Sequence, residues 1–120
     1  MATNYIYSGD VVDYTNGGSA IASGDVVVIG QQIGVALTAI ANGETGSVAL
    51  DGVFTVPKVS GAVIAQGESV IYDVSAGEFD DNAATPATGD VSGCCVATAA
   101  AGNGATTVQV KLNVGVGTVA

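Results

Sequence analysis

Eighteen glycines, spread along the whole chain, interrupt every stretch in which a long helix could form. A glycine inside a helix is unfavourable by about 1 kcal/mol relative to alanine, whereas at a turn it supplies backbone angles that other residues resist. The residues between the glycines point the same way. Val and Ile number 27 against 3 Leu, and side chains branched at Cβ are stiff at χ1 and suit a pleated sheet. A helical domain of this size would lean on Leu. The expectation is a single all-β domain, since 120 residues can bury one compact core but are too few for two.

Residues 106–114 carry the plainest strand. Val108, Val110, Leu112 and Val114 alternate with Gln109, Lys111 and Asn113, the period of a strand with one wet face. Val26-Val27-Val28-Ile29 is a continuous apolar run between Gly24-Asp25 and Gly30, too short for a helix and suited to a central strand covered on both faces. Ile33, Val35 and Leu37 alternate with Gly34 and Ala36. Ser47-Val48-Ala49-Leu50, Val53-Phe54-Thr55-Val56 and Val70-Ile71-Tyr72-Asp73 read as further short strands, and Pro57 ends one of them because it has no N–H for a ladder. Asn16-Gly17-Gly18, Asn42-Gly43, Asp51-Gly52, Ala76-Gly77 and Gly102-Asn103-Gly104 supply the turns. Strands this short and this closely spaced predict a small β-barrel or β-sandwich.

The chain also echoes itself. Ser23-Gly24-Asp25-Val26-Val27-Val28 matches Gln66-Gly67-Glu68-Ser69-Val70-Ile71. Ile33-Gly34-Val35-Ala36 matches the segment ending in Cys94-Cys95-Val96-Ala97. Asn42-Gly43-Glu44-Thr45, leading into Val48 and Leu50, matches Asn103-Gly104-Ala105-Thr106, leading into Val108 and Val110. The order is the same in both halves, which predicts two related β-units packed together. A long acidic loop, residues 78–90, is inserted in the second; with Asp80-Asp81-Asn82 and Thr85-Pro86 it reads as irregular and exposed. The expected organisation is an N-terminal arm and first strand over residues 1–15, one β domain over 16–113, and a C-terminal tail over 114–120 that frays or forms an interface.

Eleven acidic residues against two lysines set a net charge of −9, with no Arg and no His. Phosphate backbones and anionic membranes repel such a chain, so neither nucleic acid nor membrane is an expected partner. The N-terminal residues have no basic stretch followed by an apolar one, so no signal peptide is expected. Catalysis has little to work with. The usual general base, His, is absent, and Lys58 and Lys111 both read as exposed. The acids sit in turns among Gly and Asn, where a carboxylate stays solvated. Neither lysine follows the glycines of a phosphate-binding loop. The calcium-loop spacing is missing from the acids, and adjacent Cys94 and Cys95 without His make no zinc site. Alternation along a strand would put one thiol on each face, as two small buried or half-buried hydrophobes. No catalytic residue, metal or cofactor is expected.

One resemblance covers most of the chain. Met1-Ala2-Thr3-Asn4-Tyr5-Ile6, Gly9-Asp10-Val11 and Tyr14-Thr15 are followed by Ser23-Gly24-Asp25-Val26-Val27 and Ile33-Gly34-Val35-Ala36-Leu37. Gly43-Glu44-Thr45-Gly46, Gly52-Val53-Phe54 and Pro57-Lys58 complete the series. Together, and in this order, they resemble the capsid cement (decoration) family of tailed bacteriophages. The resemblance implies a non-enzymatic virion protein on the outer surface of the head, made in the host cytoplasm. It implies binding to the major capsid protein, so as to stabilise the expanded shell, and a homo-oligomer, a trimer being favoured over a dimer. A recombinase label attached to some family members does not suit this chain, given its charge and missing phosphate loop. Tyr5, Ile6, Tyr7, Val11 and Tyr14 are the candidate contacts with capsid or subunit, because Tyr offers large contact area at low entropic cost and an extended arm can add a strand to a neighbour's sheet. Two alternatives stay open: a secreted or surface-displayed β binding module, and a small hydrolase built on a carboxylate pair.

Overall fold

The computed structural model describes residues 9–120, and all regular structure among them is β. The strands are β1 (Val11–Thr15), β2 (Val26–Ile29), β3 (Gln32–Ala36), β4 (Thr45–Ala49), β5 (Val53–Pro57), β6 (Ser69–Asp73), β7 (Glu78–Asp80), β8 (Val91–Ala97), β9 (Thr107–Lys111) and β10 (Thr118–Val119). They form two antiparallel sheets. One has the order β1-β4-β3-β2; the other runs β5-β9-β8-β6-β7, with β10 added to β8. The result is sandwich-like, not a closed barrel.

The two sheets repeat one topology, as the sequence echo predicts. Replacing β1, β2, β3 and β4 by β5, β6, β8 and β9 turns the first order into the second. The registers repeat as well. Val11 stands opposite Ala49 and Thr15 opposite Thr45; in the second unit Val53 stands opposite Lys111 and Pro57 opposite Thr107. Val26 pairs with Val35 as Ser69 pairs with Val96. Even the isolated bridge Ile21–Ile40 has its counterpart in Ile64–Ala101. What differs is one connection: Gly30-Gln31 links β2 to β3 tightly, while residues 74–90 intervene between β6 and β8.

That connection is less irregular than the sequence suggested. Glu78, Phe79 and Asp80 form β7, which pairs with β6 through Tyr72 opposite Phe79. Phe79 is fully buried and packs its ring on Tyr72 at 5.0 Å between centroids. The acidic residues around Phe79 hide the strand from a reading based on charge. The outer side of β7 is met by the chain just after β5, where the Val59 N–H donates to the Phe79 carbonyl at 2.9 Å.

The core follows from the side-chain alternation. The larger cluster takes Val56, Val70, Tyr72, Phe79, Val91, Cys94, Cys95, Val108, Val110 and Leu112 from the second unit and Ile33 and Val35 from β3 of the first. The smaller cluster is Val27, Ala36, Ile40 and Val48, with Tyr14, Ile21 and Ile29 against it. β2 is therefore an edge strand and not the central strand its apolar run suggests. The run is apolar because the strand is covered on both faces all the same: Val26 and Val28 pack on the larger cluster, Val27 and Ile29 on the smaller. The alternation in β9 holds through buried Val108, Val110 and Leu112, then stops, leaving Val114 exposed.

It stops at Asn113, whose φ of +53° lies in the left-handed region. This backbone turn directs the carboxamide at the first unit. Its Nδ2 donates to the Ile33 carbonyl at 2.8 Å and to the Leu50 carbonyl at 2.7 Å, and its Oδ1 accepts from the Ile33 N–H at 3.1 Å. The Cys94 thiol donates to the same Oδ1 at 3.5 Å. A second tie follows: the Gly117 N–H donates to the Gln31 carbonyl at 2.9 Å, and the Gln31 carboxamide donates back to the Gly117 carbonyl at 3.1 Å. Gly117 has no room for a Cβ, which would sit 2.7 Å from the Gln31 carbonyl.

Replacing Asn113 with Ala strips the Ile33 and Leu50 main-chain groups of their partners and forces a Cβ-bearing residue without local hydrogen bonds into the left-handed region. Urea denaturation of N113A should show a loss of about 2–4 kcal/mol. N113G, which tolerates the angle, should recover only the backbone part. Gly117→Ala should lower the urea midpoint as well, because main chain and not a flexible side-chain end blocks its Cβ.

Candidate interaction surface

β1 lies at one end of its sheet, and its outer edge pairs with no strand among the described residues. Val11, one of the contact candidates, is 40% exposed on it, and Val53, which occupies the same place in the second unit, is 53% exposed. Tyr14 points the other way, half-buried against Val27, Ala36, Ile40 and Val48. Tyr5, Ile6 and Tyr7 lie outside the described residues. At the other end of the chain Val114, Val116 and Val119 are exposed, although Thr118 and Val119 pair with Ser92 and Val91 of β8.

The two lysines part company. Lys111 is exposed on β9, as expected. Lys58 is not: it is fully buried, with 0% of its surface exposed. Its ammonium donates to the carbonyls of Val59 at 2.7 Å, Ala105 at 3.1 Å and Ser60 at 3.4 Å. A buried ammonium costs several kcal/mol unless its donors are satisfied, and here three main-chain acceptors are ready. The first unit places Asn16 at the matching point after β1, also buried, donating to the carbonyls of Ser19 at 2.8 Å and Ile40 at 3.0 Å. In both units a polar side chain beyond the first strand ties down loop carbonyls. Lys58 is a structural pin and has no open side for acid–base work.

The acids are also more engaged than solvated turn residues. Four share one local pattern that the sequence reading passed over: Ala22-Ser23-Gly24-Asp25, Ala41-Asn42-Gly43-Glu44, Ala65-Gln66-Gly67-Glu68 and Ala87-Thr88-Gly89-Asp90. In each, the acid's main-chain N–H donates to the alanine carbonyl, at 3.0–3.2 Å. Its carboxylate accepts from the alanine N–H, at 2.9–3.1 Å. The glycines have φ from +81° to +91°, as a type II turn asks of its third residue. A carboxylate in a small turn closes it from both sides. Asp90 does more: it is buried, and its other oxygen accepts from the Val74 N–H at 3.1 Å.

Cys94 and Cys95 are free, and both are buried in the larger core cluster. They do not fall on opposite faces, because β8 bulges. Val70 pairs with Cys95 but the next residue, Ile71, pairs with Ser92, leaving Gly93 and Cys94 over, and Gly93 takes a φ of +82° to make the bend. The two sulfurs lie 3.4 Å apart. Hydrogen bonding to Cys94 and burial push the Cys95 thiol up, so it stays protonated. No three Asp, Glu, Cys or His side chains among the described residues gather where they could hold a metal ion.

The family model for phage cement proteins matches residues 6–112. The chain belongs to that family. No curated protein matches it. Membership makes it a structural component of the phage capsid.

Two outcomes follow from the buried groups. Lys58→Met keeps the side-chain volume and removes the donor, leaving the Ala105 carbonyl without its partner while the Val59 carbonyl keeps only the Ala62 N–H; thermal or urea unfolding should show a loss of about 1–3 kcal/mol. A thiol reagent such as dithionitrobenzoate should leave the native protein unlabelled over minutes and react with both cysteines once urea unfolds it; rapid labelling of the native chain would contradict the burial.

Proposed function

We propose that this cement protein decorates the outer surface of the phage head, bound to the major capsid protein, and stabilises the expanded shell. The family match carries the reading, and the architecture supports it. A subunit that must hold neighbouring shell proteins together needs stiffness more than chemistry. Two sheets joined by the Asn113 hydrogen bonds and sharing one core supply that stiffness. A net charge of −9 keeps an outward-facing protein soluble and discourages self-adhesion.

In this reading the segment Tyr5, Ile6, Tyr7 and the adjoining β1 edge with Val11 make the contact with capsid or subunit, while Tyr14 anchors β1 on its own core. A strand edge with unpaired N–H and C=O groups is a ready template for a neighbouring chain. The protein acts as a homo-oligomer, the trimer favoured over the dimer because an icosahedral lattice offers junctions where three subunits meet.

Sedimentation tests this directly. Purified protein mixed with expanded heads that lack it should co-pellet saturably, at a fixed ratio to capsid subunits, and should raise the temperature at which the heads fail. Heads that pellet alone would rule the reading out. Val11→Asp should weaken co-sedimentation about tenfold or more while lowering the urea midpoint only modestly, since Val11 is 40% exposed on an edge strand.

A further inference from the structure

Where the first unit meets the β6–β7 hairpin, a cavity of about 270 Å³ is lined by Gly24, Asp25, Val26, Pro57, Tyr72 and Gly77. These residues come from the turn before β2, the end of β5, the middle of β6 and the turn after it, so the cavity exists only because the hairpin is inserted in the second unit. Its rim residues Gly24, Asp25 and Pro57 are exposed, which opens its mouth to solvent. It is smaller than the roughly 300–1,000 Å³ of ordinary small-molecule sites and suits the end of one side chain.

Tyr72 is the telling residue. It is only 7% exposed, its ring packed on Phe79 in the core. A buried tyrosine hydroxyl almost always finds a partner, yet no hydrogen bond ties this one to any described residue, and no buried side-chain oxygen or nitrogen among them is both closed off and unpaired. The Tyr72 hydroxyl therefore faces the cavity, beside Gly77, where an added Cβ would lie 3.8 Å from it. The surroundings are negative. Burial raises the phenol's pKa, and the charges of Asp25 and Asp73 raise it further. Among the described residues no cation offsets them: Lys58 commits its ammonium to three carbonyls, and Lys111 lies out on β9. The Asp25 carboxylate gives one oxygen to the Ala22 N–H, leaving the other to accept.

We propose that this pocket receives a cationic side chain, arginine or lysine, of the capsid protein that the cement subunit binds. The proposal rests on the decoration reading and adds the chemistry of one contact to it. The incoming N–H groups donate to the Tyr72 hydroxyl oxygen and the Asp25 carboxylate, and the positive charge offsets the field of Asp25 and Asp73. Hydrogen bonds of this charge-assisted kind are about twice as strong as neutral ones. An acidic or neutral side chain would leave that field unanswered.

The test has two arms on the full-length protein. In the first, ¹⁵N-labelled protein is titrated with N-acetyl-arginine amide, N-acetyl-lysine amide and, as the uncharged control, N-acetyl-glutamine amide. Saturable shifts confined to the amides of Gly24, Asp25 and Gly77, with at least one cationic probe and not with glutamine, are expected. In the second, Tyr72→Phe and Asp25→Asn, which keep the ring packing and the Ala22 turn, are combined and assayed for co-sedimentation with expanded heads. The double variant should bind about tenfold or more weakly with an unchanged urea midpoint. Absent or control-like shifts, or undiminished head binding by the double variant, would overturn the pocket assignment and leave decoration standing. Failure of the wild-type chain to bind heads would sink the decoration reading, and the amide titration would still decide whether the pocket takes a cation.

Discussion

Asn113 sits where the two β-units meet, and its carboxamide holds both ends of the arrangement. It satisfies the Ile33 N–H and carbonyl on β3 and the Leu50 carbonyl beyond β4, while taking the Cys94 thiol on the second unit's side. Without that group the first unit would contribute Ile33 to the common core with its main chain unsatisfied, and burying an unpaired peptide group costs as much as a good apolar contact returns. The shared core and the clamp thus depend on one another. The larger apolar cluster can include Ile33 because Asn113 satisfies its N–H and carbonyl, while Val35 beside it is paired with Ala49 of β4.

The duplication was legible in the sequence because it lies in turns and short apolar runs, which are local. Gly24-Asp25 and Gly67-Glu68, or Gly43 and Gly104, announce the same bend in both halves, and the registers of β1–β4 and β5–β9 follow from strand length and turn position. The alternation of β9 was readable through Leu112, up to the point where Asn113 turns left-handed, although the strand itself spans Thr107–Lys111 and not the whole of 106–114. The misreadings have a common physical source in contacts between residues distant in the chain. Lys58 reads as a surface lysine until the carbonyl of Ala105, far along the chain, arrives beside it. Cys94 and Cys95 read as opposite faces until a bulge puts both inward. Phe79 is hidden among acids, and β2 is covered on both faces without being central. The cavity at Tyr72 was illegible for the same reason, since its walls come from four separate segments.

The acidity of the chain has two physical parts that composition lumps together. Asp25, Glu44, Glu68 and Asp90 each close a turn with their carboxylate. They are fixed by the fold, and their charge comes along with their geometry. Asp73 and Asp81 likewise accept main-chain N–H groups of their own turns, whereas Asp13 and Asp51 stand exposed at the surface. This is why a phage cement protein can be strongly acidic and yet use the accepting oxygens of those same side chains to hold its shape.

The position of Asn113 also sets an order of events during synthesis. All four strands of the first sheet, complete at Ala49, leave the ribosome well before the residue that locks them to the second unit. For that interval the first unit carries Val26, Val28, Ile33 and Val35 with nothing yet built to cover them, and the chain relies on the speed of elongation, on the order of 5–20 residues per second, to bring the cover. The nascent half-protein is thus the form most open to mispairing, and an identical half from a neighbouring polysome, carrying the same strand registers, is its nearest wrong partner.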